Sequence, residues 1–148
     1  MSTIQEEQVM GRVTVDIHLT NSDDIALARA GKITPAEIRT VTVAALVDTG
    51  ATMLVLPKEV IQNLGLQAIR TTRSRIGDGR FIERTIYGPA KLKVMDREVI
   101  CEAADSPPNV PPLLGQIPLE SLDLHVDCKG QRLIPNPESP DMTLIDVL

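Results

Sequence analysis

Aromatic residues are almost missing from this 148-residue chain, which has one Phe, one Tyr and no Trp. Its core must therefore be built from aliphatic side chains, and it lacks the aromatic platforms on which single-stranded nucleic acids stack. Basic residues are not concentrated either. The net charge is −5, and the densest basic group is the loose cluster Arg70, Arg73, Arg75 and Arg80. Because nucleic-acid binding normally needs a basic footprint, we expect no nucleic-acid partner.

Cysteine and histidine are scarce as well, with two of each. Cys101 and Cys128 form no Cys-x-x-Cys pair, and together with His18 and His125 they make no recognisable zinc site. We therefore expect no metal, no cofactor and two reduced thiols. No apolar stretch approaches the ~18 residues of a membrane span, and the polar residues 1–10 lack the pattern of a signal peptide. These absences predict a cytoplasmic protein without a membrane partner.

The hydrophobic content of 43% is typical of a globular protein, and the length predicts one domain over residues 1–148. Within it, residues 1–9 are expected to be flexible. Residues 22–38 contain helix start and stop signals and a capping box at Thr34–Glu37, so they predict a helical insertion on the surface.

Short strands dominate the rest of the chain. Val13–Leu19 alternates apolar and polar residues as a half-buried strand does, whereas Thr40–Val47 is apolar on both faces, which indicates a strand buried on both sides. Further segments are predicted as hairpins (70–87 and 90–104), short helices (57–65 and 118–122) and strands (122–127, 131–134 and the apolar end 142–148). Many short strands with few helices predict a mainly β barrel or sandwich.

An acidic residue lies between two apolar runs at Asp48-Thr49-Gly50. The strand Thr40–Val47 precedes it, and Met53–Leu56 resumes the apolar pattern. A carboxylate between buried segments must find partners or shift its pKa, because burying an unpaired carboxylate is costly. Asp-Thr-Gly alone is a weak signal, since an ordinary turn explains most occurrences.

Three later features follow this motif in a recognisable order. Gly77-Asp78-Gly79 lies at a turn between two predicted strands, Leu113-Leu114-Gly115 opens a short helix, and the apolar residues 142–148 close the chain. Together with Asp48-Thr49-Gly50, these features resemble the retropepsin-like aspartic peptidases, single-domain relatives of pepsin that act as homodimers. The resemblance covers roughly residues 13–148 and is to the small bacterial and cellular members rather than to the retroviral ones.

The resemblance implies a mainly β fold, namely a closed or partly open retropepsin-like β-barrel with one or two short helices and a homodimeric active site. It implies an aspartic endopeptidase acting on a peptide or protein substrate, in which Asp48 and its symmetry mate share one proton and activate a water. The other implied site residues are the active-site support Thr49, Gly50, Ala51 and Thr52, the flap and substrate-binding residues Ile76, Gly77, Asp78, Gly79 and Phe81, and the loop-packing motif Leu113, Leu114 and Gly115.

The sequence is compatible with alternatives at several positions. Gln116 stands where retroviral enzymes usually carry Arg, which leaves the details of the dimer contact undefined. Ile86-Tyr87-Gly88 is an alternative flap tip to residues 77–79. The apolar residues of the flap and of the 113–115 motif suggest apolar substrate pockets. Two other functions fit the same residues: a catalytically silent retropepsin-like module that dimerises or binds peptides, and a monomeric β-barrel that binds a small ligand.

Overall fold

Nine strands and three short α-helices follow one another in residues 12–147, the part of the chain that the computed structural model describes. In chain order they are β1 (Thr14–Asn21), α1 (Ser22–Arg29), β2 (Thr40–Val47), β3 (Leu54–Leu56), α2 (Lys58–Leu64), β4 (Gln67–Arg75), β5 (Phe81–Val94), β6 (Arg97–Asp105), β7 (Leu113–Leu114), α3 (Gln116–Leu122), β8 (Leu124–Asp127) and β9 (Arg132–Pro135). None of the helices described has the length and apolar character needed to cross a membrane. The expectation for residues 1–9 lies outside the described residues.

Six strands form a ring in the order β1-β2-β7-β3-β6-β5, which closes because β5 also pairs with β1. β7 runs parallel to β2 and β3 runs parallel to β6, whereas the other pairs in the ring are antiparallel. β4 pairs with the first half of β5, and β8 and β9 form a separate two-stranded sheet. This arrangement confirms the mainly β class predicted for the chain.

Aliphatic side chains fill the core. The fully buried ones on the ring strands are Ile17, Leu19, Leu54, Leu56, Ile86, Leu92, Val94 and Leu114, and the helices α2 and α3 add Leu64 and Leu122. Each such side chain contributes about 2 kcal/mol by leaving water. The core therefore needs no aromatic residue, in agreement with the composition.

β1 has the two faces that its alternation predicted. Ile17 and Leu19 are fully buried, whereas Asp16 and His18 are exposed on the opposite face. The ring of His18 exchanges a hydrogen bond with the hydroxyl of Thr42 across to β2 (2.9 Å). His18 is therefore a surface residue of the sheet.

Residues 22–38 leave the sheet after β1 and return to it before β2. At the start, the Oδ1 of Asn21 accepts the N–H of Asp24 and caps α1 (3.0 Å). At the end, the carboxylate of Asp24 accepts bonds from the backbone N–H and the Nε of Arg39 (3.0 and 2.9 Å). These bonds from Arg39 lower the pKa of Asp24. One buried carboxylate thus joins both ends of the excursion.

The structure differs from the sequence predictions at three places. Tyr87 and Ala90, predicted in separate strands, lie in the single strand β5, where a bulge accommodates the intervening Gly-Pro pair. Ala44 is exposed, so β2 is not buried on both sides. Residues 142–147 form no strand in the single chain.

Candidate active site

Asp48 directly follows the last residue of β2 and begins the loop of residues 48–53, which we call the aspartate loop. Its backbone N–H donates to the carbonyl oxygen of Leu114 (3.0 Å), and its own carbonyl accepts the N–H of Ala51 (3.1 Å). Its Oδ1 accepts the N–H of Gly50 (2.9 Å). Asp48 as a whole residue is half-buried. These three bonds orient the carboxylate from the backbone of its own loop and of β7.

Gly115 brings the start of α3 into direct contact with the aspartate loop. The N–H groups of Gln116 and Ile117 donate to the carbonyl oxygens of Ala51 and Thr52 (2.8 and 2.9 Å). A Cβ at position 115 would lie 2.7 Å from the carbonyl oxygen of Ala51 and closer still to that of Met53. Both obstacles are backbone atoms, so only glycine fits here.

Thr49 lies on the outer side of the aspartate loop, where it is exposed. It lines a groove of about 530 Å³ that continues along α3 and β8 past Gln116, Glu120 and His125. We call this the outer groove. The outer side of the loop is therefore open to solvent in the single chain.

Residues 67–86 form a hairpin from β4 and the first part of β5. Its tip is a tight turn, in which the N–H of Gly79 donates to the carbonyl of Ile76 (2.8 Å) and the N–H of Ile76 donates to that of Arg80 (2.9 Å). Gly79 has φ +88°, a conformation that glycine adopts without steric cost. The alternative tip at residues 86–88 lies inside β5, where Ile86 is fully buried opposite Ala104. The hairpin tip is therefore at residues 77–79.

The hairpin has an inner and an outer face, because residues paired across two antiparallel strands point to the same side. Thr72 pairs with Arg84 and Ser74 with Ile82, and all four are half-buried on the inner face. Arg73 pairs with Glu83 and Arg75 with Phe81, and these four are exposed on the outer face.

A groove of about 540 Å³ lies between the aspartate loop and the hairpin, and we call it the aspartate groove. Its lining comprises Gly50, Ala51, Thr52, Met53, Val55, Thr72, Arg73, Ser74, Arg75, Arg84, Ala104, Pro107, Val110 and Leu113. Arg84 is fixed at the wall by a hydrogen bond to the carbonyl oxygen of Asp105 and an ion pair with its carboxylate (3.6 Å). The first residue of the aspartate loop to line the groove is Gly50, whose N–H donates to the carboxylate of Asp48.

The structure brings only some of the site residues predicted from sequence to this groove. Gly50, Ala51, Thr52 and Leu113 line it, while Leu114 and Gly115 hold the loop behind it. The flap residues Ile76, Gly77, Asp78 and Gly79 lie at the hairpin tip, outside the lining. Phe81 is 57% exposed on the outer face. The substrate-binding role of these tip residues stays a prediction.

Ten of the fourteen residues that line the aspartate groove were not predicted as site residues from the sequence, among them Thr72, Ser74 and Arg84 on the hairpin. The sequence did contain a signal for the hairpin residues, because successive side chains of a strand point to opposite faces with a period of two. Counting back from the turn at residues 77–79 places Ser74 and Thr72 on one face, but only the fold shows which face meets the aspartate loop.

Other reactive groups lie apart from the aspartate groove. Cys101 and Cys128 are free thiols. Burial, with a smaller contribution from the nearby Glu102 charge, raises the pKa of the Cys101 thiol to about 12. Among residues 12–147, no three His, Cys, Asp or Glu side chains are grouped so as to hold a metal ion.

A closed sheet with one Asp-Thr-Gly loop, backed by an apolar-apolar-Gly segment, defines a retropepsin-like arrangement. A family model described as aspartyl protease matches residues 34–116, which is more than half of the chain. The chain belongs to this aspartyl protease family of the retropepsin-like clan. A search of curated proteins found no significant match. The matched region contains the aspartate loop, the hairpin and β7, and the family's general function is that of an aspartic protease, a peptidase hydrolase.

Proposed function

We propose that the chain is an aspartic endopeptidase whose catalytic pair consists of Asp48 and the Asp48 of a second copy at a homodimer axis. The observation that carries this proposal is the position of Asp48. It lies at the end of a core strand, beside a groove, on a loop whose next residues Thr49 and Gly50 are exposed. One chain supplies one such carboxylate, and a two-fold dimer supplies the second by symmetry.

The chemistry needs both carboxylates close together. Two like charges about 3 Å apart do not both ionise easily, so the pair retains one proton. The ionised member accepts a proton from a water that attacks the scissile carbonyl, while the protonated member donates to the carbonyl oxygen. The apparent pKa values then belong to the pair rather than to either Asp48. No metal or cofactor is needed in this scheme.

The β4–β5 hairpin is proposed as the flap of this enzyme. It faces the aspartate loop across a groove of about 540 Å³, and the backbone of an extended peptide pairs readily with strand-like segments. Closing such a hairpin over the substrate excludes water from the reaction. Gly77 and Gly79 at its tip have no atom within 4 Å of the position of a Cβ, so the tip itself is sterically free.

Two surfaces support the proposed dimer. The outer groove beside Thr49 is open in the single chain. In the C-terminal segment, the N–H of Leu144 donates to a carboxylate oxygen of Asp123 (3.1 Å). The same segment exposes the apolar side chains of Met142, Leu144, Ile145 and Val147, and Val147 is 86% exposed. A cluster of exposed apolar side chains is typical of a surface that binds another protein.

A cytoplasmic location is part of the same proposal, since both thiols are free.

The test combines substitution with mixing of subunits. Asp48→Asn should abolish cleavage of a peptide library and leave the dimer, measured by ultracentrifugation, intact. Asp16→Asn, an exposed carboxylate on β1, is the matched control and should cleave like the wild type. Adding an equal amount of Asp48→Asn protein to the wild type, followed by subunit exchange, should reduce activity to about half, because half of the wild-type chains then lie in mixed dimers.

Two outcomes would contradict the proposal. Unchanged activity after exchange would mean that one Asp48 is sufficient. Absence of cleavage by the wild type at mildly acidic and neutral pH, with an intact dimer, would favour the silent peptide-binding module.

A further inference from the structure

The β4–β5 hairpin leaves the ring of strands close to its base. Counting toward the hairpin tip, Ile86 is the last residue of β5 that pairs with β6, where it lies opposite Ala104. Beyond this point, residues 71–75 and 81–85 pair only with each other. The hairpin is therefore a two-stranded ribbon that projects from the ring, and its direction depends on the contacts at its base.

Arg84 fastens this ribbon to the rest of the chain. Its guanidinium donates to the carbonyl oxygen of Asp105 and forms an ion pair with the carboxylate of the same residue (Nε to Oδ1, 3.6 Å). Within residues 12–147, no other side-chain hydrogen bond or ion pair joins residues 71–85 to the chain outside them. The polar attachment of the projecting ribbon thus depends on one side chain.

Asp105 is a fixed partner because it belongs to the ring. It is the last residue of β6 and pairs with Leu56 of β3, whose carbonyl oxygen also accepts the N–H of Ser106 (2.9 Å). Pro107 and Val110, a few residues further along, line the aspartate groove. Arg84 therefore joins the hairpin side of this groove to a wall that the ring holds in place.

A second arginine at the base of the hairpin allows a comparison. Arg70 on β4 pairs with Glu102 on β6 (2.6 Å), and these two side chains are 52% and 34% exposed. The side chains of Arg84 and Asp105 are only 17% and 24% exposed. Exposed ion pairs contribute little, whereas removing one partner of a buried pair leaves an uncompensated charge. We therefore expect Arg84 to hold the hairpin more firmly than Arg70 does.

The distance between Arg84 and the hairpin tip amplifies any movement at the base. Asp78 at the tip precedes Arg84 by six residues, which is about 20 Å of extended strand. A rotation of about 10° at Arg84 then moves the tip by about 3–4 Å. A displacement of that size breaks a hydrogen bond between the hairpin and a bound peptide.

We propose that Arg84 is a positioning residue of the peptidase, whose bonds to Asp105 fix the β4–β5 hairpin in the orientation that covers a peptide in the aspartate groove. This inference rests on the proposed function and identifies the contact that orients the proposed flap. Because its charge is matched by Asp105, Arg84 acts through the hairpin and not on the reacting atoms. A hairpin that is oriented before the substrate arrives lowers the ordering cost of binding.

The first experiment measures KM and kcat of Arg84→Met for a peptide that the wild type cleaves. KM should rise about tenfold, which is the effect of losing one hydrogen bond of a charged group. The kcat should stay within about twofold, because a bound substrate itself holds the hairpin down. A merely structural role would reduce the fraction of folded enzyme, so kcat would fall at unchanged KM, and that result would overturn the inference.

Two milder variants and a control accompany it. Arg84→Lys keeps the charge but not the planar fork, and its KM should lie between those of the wild type and Arg84→Met. Asp105→Asn removes the ion pair and keeps the carbonyl contact, so KM should rise about threefold, and this variant serves as the test if Arg84→Met does not fold. The matched control is Arg70→Met, whose KM should stay within about twofold of the wild type. An equal rise in KM for Arg70→Met would overturn the special role of Arg84.

A distance measurement separates this inference from the proposed function. Spin labels at Asp78→Cys on the tip and Glu59→Cys on α2 are placed in a Cys128→Ser chain, because Cys128 is exposed. An excess of unlabelled protein ensures that a dimer contains only one labelled chain. Double electron–electron resonance should show a distance distribution at least about 3 Å wider for Arg84→Met than for the wild type or Arg70→Met. Identical distributions would contradict the role of Arg84 whether or not the wild type cleaves peptides, whereas absence of cleavage alone would contradict only the proposed function.

Discussion

Replacing Gly115 with alanine should destabilise the protein by about 3–5 kcal/mol. The new Cβ would lie 2.7 Å from the carbonyl oxygen of Ala51 and closer to that of Met53, so the backbone of the aspartate loop must move. Such overpacking costs about 1–3 kcal/mol. The movement also breaks the bonds from Gln116 to Ala51 and from Ile117 to Thr52, each of which contributes about 1 kcal/mol.

Urea denaturation and thermal unfolding measure this effect, and a loss of 3–5 kcal/mol corresponds to a fall in Tm of about 10–15 °C for a chain of this size. Hydrogen exchange should show that the amide of Gln116 loses its protection. The control is Gly77→Ala, where nothing lies within 4 Å of the Cβ and the stability should stay within about 0.5 kcal/mol of the wild type. A Gly115→Ala protein as stable as that control would refute the packing argument.

Two further predictions concern Asp123 and the cysteines. Hydrogen bonds from Ser139 and Asn136, with others, hold the pKa of Asp123 at about 2, below its ordinary 3.8. Its stabilising contribution is therefore present above about pH 4 and is lost as the pH falls toward 2. Asp123→Asn should remove this part of the pH dependence of the urea midpoint, and an unchanged profile would contradict the assignment. Iodoacetamide at about pH 8 should label the exposed Cys128 and not Cys101, whose thiol pKa is about 12, as checked by mass spectrometry. Equal labelling rates would show that Cys101 is accessible.

Local patterns explain why much of the fold could be predicted from the sequence. The buried Ile17 and exposed His18 follow from alternation within a few residues. The helix α2 ends where predicted because Gly65 adopts φ +64°, which a glycine does readily. The hairpin turn at residues 77–79 follows from its two glycines. Each of these features depends on neighbours in the chain.

The composition of the aspartate groove could not be predicted in the same way. Both faces of the strand β2 are apolar in sequence, yet Ala44 is exposed. Which face of β2 is covered depends on elements that are distant in the sequence. Arg84 can be assigned to the inner face only when it is known which face of the hairpin meets the aspartate loop.

The two residues of β7 impose an order on how the site forms. Leu113 and Leu114 pair with Leu46 and Val47, which precede them by 67 residues, and Leu113 also pairs with Val55 on its other side. Contacts of such long sequence separation have a high entropic cost and form late. During synthesis, the aspartate loop therefore has no backing until residues 113–117 have left the ribosome. A nascent or truncated chain that ends before residue 113 contains the Asp-Thr-Gly sequence but not the strand that backs it, so the fold itself delays the appearance of the site until that strand has been made.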